Sequence, residues 1–188
     1  MRKSSRKFHV VLAVVVAMVG SAFAIAPAGA SASCNFGGLT AAETDLCTPT
    51  AKASLLASGE LIPPAGAPAK VKAVIAAANK IRLKPYIYGG GHASFASRGY
   101  DCSGSVSFAL HGGNFLSSPL PSGPLESWGE EGEGRWITVY ANAGHAYMTV
   151  AGFRFDTAGD SGVDETGPRW HEELLTNEGF VARHPAGF

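Results

Sequence analysis

The run Gly99-Tyr100-Asp101-Cys102-Ser103-Gly104-Ser105-Val106-Ser107-Phe108-Ala109-Leu110-His111-Gly112-Gly113 fixes where the rest of the chain must go. Asp101 suits a helix N-cap, because its carboxylate can accept from the free amides of a first turn. Val106, Ala109 and Leu110 recur at helical spacing with Phe108 beside them. Gly112 and Gly113 end the run in the usual way. The pattern predicts a short, half-buried helix with Cys102 in its first turn. Unpaired amides and partial positive charge at a helix N-terminus favour a thiolate, the reactive form of cysteine. The same amides can hold an oxyanion. A buried, inert cysteine packed like a small hydrophobe fits this stretch equally well.

Upstream, Pro68 to Ile81 is the clearest helix. Pro68 suits the first position, and Val71, Val74, Ile75, Ala78 and Ile81 form one apolar stripe. Tyr86-Ile87-Tyr88 reads as a short extended piece before Gly89-Gly90-Gly91-His92. The Lys-Ser/Thr pair of a phosphate-binding loop is absent there. Residues 115–134, rich in Pro, Gly, Ser and Glu, read as a long loop with Trp128 over the core. Glu130, Glu131 and Glu133 read as a solvated acidic patch.

Downstream come strands: Arg135–Tyr140, His145–Val150 after the turn Ala141-Asn142-Ala143-Gly144, Phe153–Thr157 with clean alternation, and Phe180–Arg183. Short connections imply an antiparallel meander. The fold class is α+β, with N-terminal helices packed on an antiparallel sheet.

The remaining segments bear on where the protein works. Residues 1–30 read as a secretory leader. Arg2, Lys3, Arg6 and Lys7 precede an apolar run, and Ala28-Gly29-Ala30 or Ala30-Ser31-Ala32 fits cleavage. Gly20, Ser21 and Pro27 disfavour an uncleaved anchor. Of 15 Lys+Arg, those four would be lost, leaving 11 against 15 Asp+Glu and a net charge of −4. That disfavours a nucleic-acid partner, and no second long apolar run suggests a membrane span. Residues 31–67 read as an extension with a Pro/Gly linker and a short helix from Thr50 to Ser58. In an exported chain Cys34 and Cys47, 13 apart, would pair, leaving Cys102 as the odd thiol.

Cysteine catalysis needs a base to take and return a proton, and a third group to orient that base. His145 opens a strand after a tight turn, and Asp156 lies near the end of the next strand. Antiparallel pairing would bring them together.

With these residues in view the chain resembles the NlpC-type family of bacterial cell-wall cysteine peptidases, over roughly residues 68–188. The helix before Pro85-Tyr86-Ile87-Tyr88-Gly89-Gly90 carries the resemblance, with Asp101-Cys102-Ser103-Gly104, Gly144-His145-Ala146 and the strand order after it. The resemblance implies a papain-like fold, with Cys102 as nucleophile and His145 as general base. It implies that Tyr86 lines the site, where Asp101, Ser103 and His92 are candidate substrate contacts. It also implies action on peptidoglycan stem peptides, commonly between D-glutamate and a diamino acid, with no metal or other cofactor. The third position, usually histidine in that family, falls here on Asp156 with Thr157 next to it. A secreted, wall-associated monomer is expected. The other readings are an amidase or acyltransferase on the same fold, and a non-catalytic wall-binding protein.

Overall fold

In a computed structural model of the chain, residues 53–159, 165–172 and 174–188 are described. The leader, Cys34 and Cys47 lie outside the described residues, so their expected cleavage and pairing have no structural counterpart. The described residues belong to the unit Ala41–Phe188.

Among the described residues, two long helices and a six-stranded sheet form the core. Helix α1 spans Ala69–Ile81 and α2 spans Cys102–Gly112. The stripe foreseen on α1 is its buried face: Val71, Val74, Ile75, Ala78 and Ile81 all lie in the core. They pack against α2 and the sheet, which contribute Val106, Ala109, Leu110, Val139, Met148 and Phe155 to the same cluster. Gly112 and Gly113 do more than end α2. A Cβ at Gly112 would collide with Ala77, and one at Gly113 with Val74, so the glycines let the two helices close on each other.

The strands are β3 Glu130–Glu131, β4 Ile137–Ala141, β5 Ala146–Val150, β6 Phe153–Ala158, β7 Glu165–His171 and β8 Val181–His184. Their order in the sheet is β3-β8-β4-β5-β6-β7, every neighbouring pair antiparallel. Ala151 and Gly152, both at positive φ, make the tight turn from β5 to β6. Alternating residues Ile137/Val139, Met148/Val150 and Phe153/Phe155 enter the core under the helices.

Three expectations change. The helix foreseen from Thr50 to Ser58 is not formed over its described part. Instead β1 Ser54–Leu55 pairs with β2 Leu61–Ile62, around a turn that Gly59 completes at positive φ. This hairpin is not a free linker: Leu61 is fully buried, and Ala53 N donates to Ala151 O of the sheet. Within residues 115–134, a one-turn helix α3 at Ser122–Leu125 buries Leu125 completely. Ser107 Oγ of α2 donates to Leu120 O and accepts from Leu120 N, which ties this segment down. Third, the alternation of β6 does not leave one face exposed, because Arg154 and Asp156 are as buried as Phe153 and Phe155.

Asn79 is the polar residue that joins these layers. Its Oδ1 accepts from Leu61 N at 3.0 Å and from Trp170 Nε1 at 2.9 Å, and its Nδ2 donates to Leu61 O at 2.9 Å. Asn79→Ala strands three buried polar groups at once and is expected to cost on the order of 3 kcal/mol in urea denaturation. A loss below about 1 kcal/mol would mean that water reaches those groups.

Candidate active site

The first turn of α2 is built around the Asp101 carboxylate. Oδ1 caps the helix by accepting from Gly104 N at 2.8 Å, and Oδ2 accepts from Gly89 N at 3.0 Å. Asp101 N in turn donates to Gly90 O. The triple glycine is therefore a seat for the helix start. Gly89 and Gly91 adopt φ of +70° and +89°, which glycine takes without strain. A Cβ on Gly104 would drive into the Gly90 carbonyl oxygen. Tyr86 bridges Tyr100 through the backbone, with Ile87 N donating to Tyr100 O and Tyr100 N to Pro85 O. These contacts fix the half-buried Cys102 at the head of α2, where its carbonyl accepts from Ser105 Oγ at 2.7 Å.

His145 comes from the opposite layer. The β4–β5 turn is closed by Asn142, whose Oδ1 accepts from Gly144 N and His145 N, both at 2.9 Å. Asn142 N also donates to His145 O. Tyr147 and Phe180 flank the imidazole at ring-centroid distances of 6.2 Å. Its Nε2 donates to Asp156 Oδ1 at 2.9 Å, and Cys102 lies near enough to act on the imidazole electrostatically.

Asp156 is aimed by an irregularity in the sheet. The β6–β7 register shifts between Asp156 and Ala158. The bulge turns two backbone amides onto the carboxylate: Thr157 N and Ala158 N donate to Oδ1 at 2.7 and 3.1 Å. Oδ2 accepts from Arg154 Nη1 at 2.5 Å. Thr157 does not take the orienting place. Its Oγ1 is buried and has no hydrogen-bond partner among the described residues.

Electrostatics follow from this chain. Burial opposes a charge on His145, but hydrogen bonds to Asp156 and Cys102 and the charges of both outweigh it, raising its pKa from 6.5 to about 10. Burial would raise the Asp156 carboxyl, yet His145, the Ala158 amide and Arg154 hold it below its ordinary value. The His145 contribution to stability is full below pH 6.5 and is lost as pH rises through about 10. That of Asp156 is present above its ordinary pKa and is lost as pH falls through the lowered one. An imidazolium beside a cysteine stabilises the thiolate. The arrangement can therefore supply a nucleophile, a proton donor and a fixed carboxylate.

No family model matches the chain, and no curated protein matches it. Among solved structures it is similar to the peptidoglycan hydrolase RipB from Mycobacterium tuberculosis, at 22% identity over 77% of this chain and 85% of that one, TM-score 0.45. It is also similar to RipD from the same organism, described as a non-catalytic NlpC/p60 domain protein adapted to peptidoglycan binding. There the identity is 17%, over 63% of this chain and 98% of that one, with a TM-score of 0.46. A third is RipA, the resuscitation promoting factor interacting protein, at 18% identity and TM-score 0.43. The chain spans about three-fifths of RipA's length, covering 62% of it. The likeness is to NlpC/p60 proteins.

Of the residues singled out from sequence, Cys102, His145 and Asp156 come together: His145 bonds Asp156 at 2.9 Å, and Cys102 acts on the same imidazole. Asp101, Ser103 and His92 form a second cluster: His92 Nε2 lies 2.9 Å from Asp101 Oδ2 and 2.9 Å from Ser103 Oγ. His92 is thus tied to the start of α2 instead of standing loose on the surface. Tyr86 is half-buried and Tyr88, on the same loop, is 90% exposed. The roles of Asn142 and Arg154 were not foreseen. Asn142 two residues before Gly144 was a legible turn signal, whereas nothing local marks Arg154 as buried.

Proposed function

We propose that this chain is a cysteine peptidase that hydrolyses amide bonds in the peptide stems of peptidoglycan. The observation that carries the reaction type is His145 bonded to the buried Asp156 and acted on by Cys102, which sits at a capped helix start. The substrate class rests on Pro85-Tyr86, Asp101-Cys102-Ser103-Gly104 and Gly144-His145, the motifs shared with cell-wall cysteine peptidases. The bond between D-glutamate and a diamino acid is the favoured target. Export through residues 1–30, with a Cys34–Cys47 disulfide in the mature extension, belongs to the same reading.

In this mechanism the Cys102 thiolate attacks the amide carbonyl carbon, and amides of the first turn of α2 face the developing oxyanion. His145 Nδ1 gives its proton to the leaving amine as the carbon–nitrogen bond breaks, leaving a thioester. The neutral imidazole then takes a proton from water. The hydroxide displaces the thiolate and releases the carboxylic acid, and His145 is again protonated. Asp156 holds the imidazole in one orientation throughout. Tyr86, Asp101, Ser103 and His92 border the cysteine and are the proposed substrate contacts.

The test is digestion of purified sacculi and of defined stem peptides by the full chain, read by mass spectrometry. Release of new amine and carboxyl termini, absent after iodoacetamide treatment, is the expected result. Binding to sacculi without cleavage, from protein whose Cys102 alkylates readily, would replace this reading with a non-catalytic wall-binding role. The pH profile adds a second check. Hydrolysis should fall as pH rises through about 10, because His145 then lacks the proton it gives to the amine. Alkylation of Cys102 needs no such proton and should not fall there.

A further inference from the structure

Arg154 is among the largest side chains buried completely in the protein. A guanidinium taken out of water costs several kcal/mol unless it is paired and hydrogen-bonded. Its Nη1 donates to Asp156 Oδ2, and its Nη2 donates to Gly159 O at 3.2 Å. The two residues are two apart on β6, so they share a face of the sheet. The Asp156 carboxylate is thereby divided. Oδ2 belongs to Arg154, while Oδ1 receives His145 Nε2 and the two amides of the bulge. A carboxylate held at both ends cannot turn away from the imidazole. Along the chain Arg154, Asp156, His145 and Cys102, cation and anion then alternate whenever the cysteine is a thiolate.

We propose that Arg154 is a positioning residue: its buried guanidinium holds Asp156 aimed at His145, and so governs how readily Cys102 acts as a nucleophile. Without that cation Oδ2 of a fully buried carboxylate loses its Arg154 partner, and only the bonds at Oδ1 remain to hold it. The cluster becomes more negative and takes up a proton more readily. The proton ends on Asp156, which then no longer holds the imidazolium, or on the Cys102 thiolate itself. Either way the thiolate appears only at higher pH.

Other groups face this pair. From β5 come Tyr147 and, opposite Arg154, Thr149. From β7 come His171 opposite Arg154 and Arg169 opposite Asp156. Tyr140 stacks on Tyr147 and donates to Glu133. Burial, the largest cause for each, raises both tyrosines to about 12, so they stay neutral through the working range. All of these are unchanged in the variants below, so a comparison with wild type reads Arg154 alone. The inference rests on Cys102 being the nucleophile, and not on which amide is cut.

The experiment is the rate of iodoacetamide labelling of Cys102 in the full chain between about pH 4 and about pH 10, resolved by peptide mass spectrometry. Wild type is compared with Arg154→Met, Arg154→Lys and the double variant Arg154→Met/Asp156→Asn, each checked by near-UV circular dichroism. In Arg154→Met the labelling midpoint should move up by about one pH unit or more. In the double variant, which removes both charges of a buried pair and is the one best placed to fold, it should be raised as well, because a neutral amide at position 156 cannot hold the imidazolium. Arg154→Lys, which keeps the charge without the planar fork, should hold the midpoint and lower turnover. A folded Arg154→Met with the wild-type profile overturns the proposal, as does a double variant that labels at the wild-type midpoint. If Arg154→Met does not fold, Arg154→Lys decides, and wild-type turnover there, or a raised midpoint, overturns it. Wild type that fails to label below about pH 8 refutes Cys102 as an activated nucleophile, a separate failure.

Discussion

Cys102→Ala is expected to leave no measurable hydrolysis of stem peptides and a protein as stable as wild type to within about 1 kcal/mol. The thiol is half-buried, and alanine is a good helix former at the head of α2. The Asp101 cap, which depends on the carboxylate and Gly104 N, is untouched by the change. His145→Ala should lower turnover by about 10³-fold or more, since it removes both the proton donor for the amine and the partner of the thiolate. The double variant should be no worse than Cys102→Ala, because residues that act as one unit are not additive. Initial rates on a defined stem peptide, with thermal melts alongside, decide the matter. Turnover retained in Cys102→Ala would remove the cysteine from the chemistry altogether.

Gly104→Ala is expected to be the most damaging small substitution in the site, although helix propensity argues the other way. Inside a helix alanine is favoured over glycine by about 1 kcal/mol. At Gly104 the new methyl would meet the Gly90 carbonyl, with the Gly90 carbonyl carbon and Asp101 Oδ1 both at 3.1 Å. Two of these atoms are backbone, and the third is pinned by Gly104 N and His92. None can swing aside as a flexible side chain would. Overpacking of this kind costs about 1–3 kcal/mol and sometimes more, so the clash outweighs propensity. Relief requires moving the glycine loop, which breaks Asp101 N to Gly90 O and Gly89 N to Asp101 Oδ2. Cys102 labelling should therefore slow together with a drop of about 3 kcal/mol in urea denaturation. Gly123→Ala is the control. It has open space around its Cβ and should stay within about 0.5 kcal/mol of wild type. A neutral Gly104→Ala would show that the loop and helix are not in contact in solution.

Much of this was legible in the sequence because the signals are local. The period of Val71, Val74, Ile75, Ala78 and Ile81 requires one buried helical face, and α1 has it. Asp101 before an apolar run, with Gly112 and Gly113 after it, sets both ends of α2. Short turns between β-rich runs require antiparallel neighbours, and that is how β4, β5 and β6 pair. The same register brings Asp156 to His145, as the order of the strands implied.

What only the tertiary structure decided concerns contacts between segments distant in sequence. Whether residues 54–62 form a linker or a docked hairpin depends on Asn79 and Trp170, far along the chain, which no local pattern reports. That Asp156 and not Thr157 faces His145 depends on a bulge against β7, which aims two amides and one carboxylate together. Arg154 reads as an exposed strand residue until the opposite face is seen to be covered. Periodicity tells which way a side chain points, but not whether water or protein lies on that side, and the buried charge at Arg154 turns on that difference.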